Sequence, residues 1–160
     1  MPITIKPMET DAEVRGKAYV HWKCWQTTYP GLVSQAYLDA FTLEKSREKA
    51  LLWRDNLLVA KDGDRVVGFA GYGDRGPEAP DVGEVFALYV LPAYHGTGVG
   101  QQLLDAALNR LSDYPRICLW VLRENARAIR FYEKNGFHAT GEELVSPRID
   151  ALEIRMIKER

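Results

Sequence analysis

The sequence predicts a mixed α/β fold (α+β in its strand order), with one central sheet of about seven strands and four helices distributed over both faces. Two observations carry this. Asp62-Gly63, set between the apolar runs 57–60 and 66–72, is a hairpin signal and demands antiparallel neighbours early in the chain. Later, apolar runs alternate with amphipathic segments: 85–91, a helix, 117–121, another helix. The run 117–121 is apolar throughout, as a strand covered on both faces must be. Hairpins early and helical crossovers late give a mixed sheet with helices on both sides.

Taken in order, residues 2–7 alternate between Pro2 and Pro7 and read as a short edge strand. Asp11 is the expected cap of the first helix. Its face, Val14, Ala18, Trp22, Trp25 and Tyr29, recurs every three or four residues until Pro30-Gly31 ends it. A second helix is expected over 42–53, with Glu44, Lys45, Arg47, Glu48 and Lys49 on a solvated face. The two hairpin strands follow. Residues 73–83 hold two prolines and three glycines, read as a loop, and deliver the chain to a strand starting near Glu84. Val99, Leu103, Leu104, Ala107, Leu108 and Leu111 then mark one face of a helix over 98–112. Tyr114-Pro115 breaks the chain before the central strand. Asn125 can cap the next helix, which stops at Asn135-Gly136 with Phe137 placed to pack back. A long strand over 137–145, a bend at Pro147 and an alternating strand over 152–156 close the sheet.

Bulk properties narrow the class. The 160 residues predict a single domain, 1–160, with a substantial core. With 46% apolar and 27% charged residues, the composition is that of a soluble globular protein. A net charge of −1 gives no basic field to attract nucleic acid. No apolar run approaches the length of a membrane span, and no signal segment opens the sequence. Cys24 and Cys118 fit neither a disulfide framework nor metal-ligand spacing, so a reducing, cytoplasmic setting is expected. His21, His95 and His138 are scattered and form no metal set.

The chemistry concentrates after the strand at 85–91. Tyr94-His95-Gly96-Thr97-Gly98-Val99-Gly100-Gln101 is a glycine-punctuated turn that runs into a helix start. The first turn of a helix carries unpaired N–H groups and partial positive charge, and glycines let an anion approach that backbone. Residues 95–101 therefore read as a main-chain site for a phosphate-bearing ligand.

His95-Gly96-Thr97-Gly98-Val99-Gly100 resembles the [Gln/Arg]-x-x-Gly-x-[Gly/Ala] loop of the GCN5-related N-acetyltransferases, with His95 in the place of the usual Gln or Arg. The segment from Asn125 to Phe137 resembles that family's second signature, Asn-x-x-Ala-x-x-Phe-Tyr-Glu-Lys-x-Gly-Phe, in the family's order and at about its usual separation. The resemblance covers the last half of the chain in detail. It implies a mostly antiparallel seven-stranded sheet, acetyl-coenzyme A as cosubstrate, no metal, and direct transfer to an amine. His95, Gly96, Thr97, Gly98, Val99, Gly100 and Gln101 would then hold the pyrophosphate. The main chain of Leu88, Tyr89 and Val90 would pair with the pantetheine as an added strand would, with Asn125 beside it. His95 could also donate a ring hydrogen bond to phosphate, best when protonated.

Amine acylation needs a route for the amine's proton and a proton for the leaving thiolate. An alkylamine with a pKa near 10.4 is free base only about once in 2,500 molecules at pH 7. Glu84 is the candidate water-relayed base, its alternative being a solvated glutamate at a strand start. Tyr132 matches the family's tyrosine and is the candidate acid, its alternative being a helix tyrosine packed on Ile129. Related enzymes place their first two helices beside the acceptor, so Trp25, Tyr29 and Tyr37 are candidates for lining that pocket; the aromatic face of the first helix, which includes Trp25 and Tyr29, otherwise reads as core. Arg130 and Lys134 read as surface charges, and Cys24 as an apolar filler.

Two other classes compete. Gly96-x-Gly98-x-Gly100 faintly resembles a dinucleotide fingerprint with Glu124 downstream, but Gln101 stands where the third glycine belongs, and no Gly-Lys-[Ser/Thr] follows for a Walker loop. A non-catalytic acyl-coenzyme A sensor would keep the fold but have no use for Tyr132 and Glu84. The expected acceptor is a small-molecule amine, with a protein or peptide N-terminus, or a lysine, as the alternative. Asp39, Glu78 and Asp81 could attract a cation but need no such role. The family's frequent dimerisation makes a homodimer an implied arrangement that no surface stripe here specifies.

Overall fold

The computed structural model describes residues 2–160. Strand β1 (Ile3–Pro7) leads to helix α1 (Asp11–Thr28), a short helix α2 (Gln35–Ala40) and helix α3 (Leu43–Leu52). Strands β2 (Leu57–Asp62), β3 (Arg65–Asp74) and β4 (Val82–Val90) form a meander. A 3-10 turn (Pro92–Tyr94) and helix α4 (Val99–Arg110) precede β5 (Arg116–Leu122), α5 (Ala126–Lys134), β6 (His138–Ser146) and β7 (Ala151–Glu159). The strands form one sheet in the order β1-β2-β3-β4-β5-β7-β6. Every pairing is antiparallel except that of β4 with β5. This is the mixed sheet the sequence predicts, mostly antiparallel as the resemblance implies.

Both faces are covered, as two adjacent residues of β3 illustrate. Successive strand residues point to opposite faces. The Phe69 ring lies under α1, with its centroid 5.8 Å from that of His21. A β-carbon at Gly68 would stand 3.0 Å from Leu103 on α4, and 2.9 Å from the Tyr89 carbonyl oxygen. The absent side chain is what lets α4 lie this close to the sheet.

The first helix starts on a capping box, not on Asp11. Thr10 accepts from the Glu13 N–H at 3.1 Å, and Glu13 accepts from the Thr10 N–H at 3.0 Å. Asp11 is simply the first helical residue. Glu13, only 2% exposed, also binds Lys6 of β1 at 2.7 Å and Lys61 of β2 at 3.1 Å. Burial alone would raise its pKa. The hydrogen bonds from Lys6, the Thr10 and Glu9 main chain and Lys61 outweigh that and hold the carboxyl well below its ordinary 4.5. A carboxyl depressed in the folded state stabilises the fold fully above its unfolded pKa and loses that contribution as pH falls. Glu13→Gln is therefore expected to cost about 1–3 kcal/mol at neutral pH. In urea titrations the difference from wild type should narrow as the pH is lowered below 4.5.

Two other details depart from the sequence reading. The helical face of α1 buries Val14, Ala18 and Cys24, but Trp22 is only partly buried, with its ring 6.0 Å from Tyr19. The short α2, capped by the Ser34 hydroxyl, inserts where no helix was expected. Its Leu38 packs with Val33, Leu122 and Ile149 as a small second core.

The feature that makes room for a site is the partial pairing of β4. A register shift opposite Gly71/Tyr72 leaves Phe86 as an extra residue on β4. On its other edge, β4 pairs with β5 only through Val82, Gly83 and Glu84, facing Arg116, Ile117 and Cys118. From Val85 onward the two strands diverge, so one edge of β4 has no strand beside it. Among the described residues, no helix is long and apolar enough to cross a membrane.

Candidate active site

The diverging edge of β4 opens on two adjoining clefts. The larger, about 600 Å³, runs from Leu88, Tyr89 and Val90 to Gly96, Gly98 and Gly100, with Asn125, Arg127 and Phe131 of the α5 region opposite. At its outer end, Gly98 caps α4 in the left-handed conformation, φ 92°, and no side chain satisfies the helix's first turn. Gly96, at φ 78°, makes the same demand on the backbone. The result is a helix start whose N–H groups face a cleft, a physical fit for phosphate oxygens. Thr97 and Val99, also expected at the pyrophosphate, line neither cleft. The Thr97 hydroxyl donates to the Tyr94 carbonyl, and the Val99 side chain is buried in the core. Gln101 lines the cleft and donates to Asp105 and Asn135.

His95 is exposed and lines the larger cleft, with both ring nitrogens engaged. Its Nε2 sits 3.0 Å from the Val90 carbonyl oxygen, and its Nδ1 meets Arg127 Nη1. A carbonyl can only accept and a guanidinium can only donate, so His95 is the neutral tautomer protonated at Nε2. Burial and the Arg127 charge lower its pKa, against the pull of that carbonyl. The expectation of a phosphate-binding imidazolium gives way to a neutral ring, and the cation in the cleft is Arg127. Arg127 was missed because it occupies an unspecified position of the second signature. Cys24 also lines this cleft, donating through Sγ to the Val90 carbonyl at 3.3 Å. Burial pushes its thiol up to about 12, which leaves no nucleophilic thiolate at neutral pH.

The smaller cleft, about 310 Å³, contains Glu84, Tyr132, Phe86, Trp120, Ile149 and Glu153. It shares Tyr29, Leu88, Tyr89, Asn125 and Ala128 with the larger, so the two meet at one wall. Tyr132 is 8% exposed, and burial, with Tyr89 nearby, pushes its hydroxyl pKa well up, keeping it protonated. It is fixed by the end of its helix: Phe137 N–H donates to the Tyr132 carbonyl, Gly136 N–H to that of Glu133, with Gly136 at φ 90°. Asn125 caps the other end, its Oδ1 accepting from Ala128 N–H at 3.3 Å.

Glu84 differs from its expected setting. It is the third residue of β4, 8% exposed, and one carboxylate oxygen takes Arg75 Nη1 at 2.7 Å. A solvated strand-start glutamate is not what the chain contains. Trp25 and Tyr29 line the smaller cleft, with Trp25 Nε1 donating to the Tyr89 hydroxyl at 3.1 Å. Tyr37 lines neither. It stands behind Trp25, ring centroids 5.5 Å apart, with Arg148 over its face. Among the described residues no group of three or more His, Cys, Asp or Glu side chains is placed to hold a metal.

Known proteins resemble this chain in sequence and in fold. Residues 19–137 match the model of the acetyltransferase (GNAT) family. An uncharacterized N-acetyltransferase of Mycobacterium tuberculosis is 40% identical over 90 residues, 55% of this chain and 56% of that protein. The mycothiol acetyltransferase of Geodermatophilus obscurus is 37% identical over 122 residues, 70% of this chain and 39% of that protein. The matches thus span about half of the mycobacterial relative's length and less of the mycothiol enzyme's. Among solved structures, a Pyrococcus horikoshii protein superposes with a TM-score of 0.78 over 99% of both chains at 25% identity. A PaiA N-acetyltransferase of Thermoplasma acidophilum, solved in complex with coenzyme A, superposes equally well over 100% of both chains at 22% identity, a likeness of fold.

Proposed function

This chain belongs to the GNAT acetyltransferase family, and we propose that it moves an acetyl group from acetyl-coenzyme A directly to the primary amine of a small molecule. The observation that supports this best is the junction of the two clefts. One offers a main-chain anion site and an unpaired strand edge; the other holds a protonated tyrosine and a carboxylate; they share a wall.

Acetyl-coenzyme A supplies a thioester carbonyl at that junction. The α4 N-terminus and Arg127 bind its phosphates, and the free edge of β4 takes the pantetheine amides as an added strand. Glu84, acting through an intervening water, removes one proton from the incoming ammonium. The freed nitrogen forms the C–N bond, and the C–S bond breaks as Tyr132 donates to the departing sulfur. The nitrogen's second surplus proton returns to Tyr132, leaving amide, thiol and one proton released to solvent.

The test is Glu84→Gln. Thiol release should fall about 100-fold in kcat, within the usual range for a lost acid–base group, while calorimetric binding of acetyl-coenzyme A stays as in wild type. Wild-type protein that binds no acetyl-coenzyme A would refute the reading. Wild-type binding without turnover on any amine would instead favour a sensor.

A further inference from the structure

Resting on that acetyltransferase reading, we infer that the acceptor is a small organic dication: a primary amine carrying a second positive group several carbons away, which Glu153 holds. The register of the sheet places the two carboxylates of the smaller cleft. Glu84 of β4 faces Cys118 of β5, and Glu153 of β7 faces Leu122 of β5. Cys118, Trp120 and Leu122 alternate onto one face of β5, and residues in register share that face. Glu84 and Glu153 therefore stand at opposite ends of one floor with Trp120 between them, about 13 Å apart along the strand direction.

The two carboxylates are not equivalent. Glu84 is tied to Arg75 at 2.7 Å. Glu153, half-buried in the same cleft, makes no ion pair or side-chain hydrogen bond among the described residues. The cation nearest to influencing it is Arg148, whose guanidinium lies over the Tyr37 ring, 5.2 Å from its centroid. A half-buried carboxylate without a partner loses hydration that an arriving ammonium restores. Burial raises the pKa of Glu153, the direction an absent counter-ion would leave it. Burial also raises the pKa of the Tyr89 hydroxyl, and the Glu153 charge adds to it, so this carboxylate acts on the wall shared with the larger cleft.

The space between fits a short carbon chain. Trp120, Phe86, Trp25 and Tyr29 supply apolar and aromatic surface, which also favours cations. Beside the cleft, Ile149 is 4% exposed, and its carbonyl takes the Ser34 N–H at 2.6 Å, pinning the β6–β7 connection to the α1–α2 connection. A cleft of about 310 Å³ is the size of a small-molecule site. With one water at Glu84 and a direct ion pair at Glu153, the remaining span suits a chain of roughly four to six methylenes.

The experiment compares 1,5-diaminopentane with pentylamine in steady-state thiol release. Wild type should show a KM about 10–100-fold lower for the diamine, the usual weight of a desolvated charge pair. Glu153→Gln should raise the diamine KM until the preference of about 10–100-fold over pentylamine is lost. Glu153→Asp, which keeps the charge, should recover part of the preference, which a packing defect would not. Equal KM values for the two amines in wild type, an unchanged diamine KM in Glu153→Gln, or better use of a peptide N-terminus would overturn the inference while leaving the acetyltransferase reading intact. If wild type fails to bind acetyl-coenzyme A, that reading falls, and this inference with it.

Discussion

Gly100→Leu should raise the Kd for acetyl-coenzyme A by at least about 100-fold, roughly 2.7 kcal/mol, with little loss of thermal stability. Gly100 lies in the first turn of α4, where its backbone needs no left-handed conformation. A β-carbon there would sit 3.8 Å from Val90 and 3.9 Å from Phe131, ordinary contact on both sides. Val90 and Phe131 both line the larger cleft, so a methyl group fits and a longer side chain must project into the space meant for phosphates. Gly100→Ala should accordingly bind within about threefold of wild type, since it adds only one contacting carbon. Gly98 is a poorer probe. At φ 92° any side chain strains the helix cap, and lost binding could not be separated from a disturbed fold. Calorimetry on Gly100→Leu and Gly100→Ala checks the prediction; equal binding by all three proteins would mean the ligand does not approach the main chain of this turn.

What was legible in the sequence was local. The glycine turn, the Asn125 cap and the Asn135-Gly136 stop each depend on residues within one turn of helix, so spacing alone specifies them. The hairpin at Asp62-Gly63 is of the same kind, with Gly63 at φ 61°. The smaller cleft was less legible because sheet register builds it. Glu153 sits in an alternating strand read only as the one that closes the sheet, and only its pairing with Leu122 brings it beside Trp120. Phe86 looks like one more core residue of an apolar run; the shift opposite Gly71/Tyr72 turns it out, 55% exposed, to the cleft. Arg75 lies in a stretch read as loop, nine residues from the Glu84 it binds. Tyr37 was grouped with Trp25 and Tyr29 as aromatic, yet the unforeseen α2 carries it behind Trp25. In each case the deciding fact is a tertiary contact that no spacing rule contains.

Tyr132→Phe should lower kcat about 100- to 1,000-fold while leaving acetyl-coenzyme A binding and the amine KM close to wild type. The ring packs against Phe131 and Phe137, centroids 5.5 and 5.7 Å away, so phenylalanine preserves the packing and removes only the hydroxyl. Burial makes that hydroxyl a reluctant acid, far above its ordinary 10. A thiolate whose thiol has a pKa near 8.5 is a much weaker base than such a phenolate, so complete transfer from a resting tyrosine is uphill. Donation becomes feasible only as charge develops on sulfur while the attacking nitrogen, still carrying a surplus proton, can resupply the hydroxyl. The deficit in Tyr132→Phe should therefore depend on the leaving group. Acyl donors with a more acidic thiol need less help at sulfur, and their rates should approach those of wild type. The raised pKa also fixes a pH signature: a tyrosine that stays protonated past pH 10 places no alkaline limb on kcat below that value. A constant deficit across a series of thiol leaving groups would move the role of Tyr132 from proton donation to positioning, because only a donor's contribution shrinks as the sulfur becomes a better leaving group.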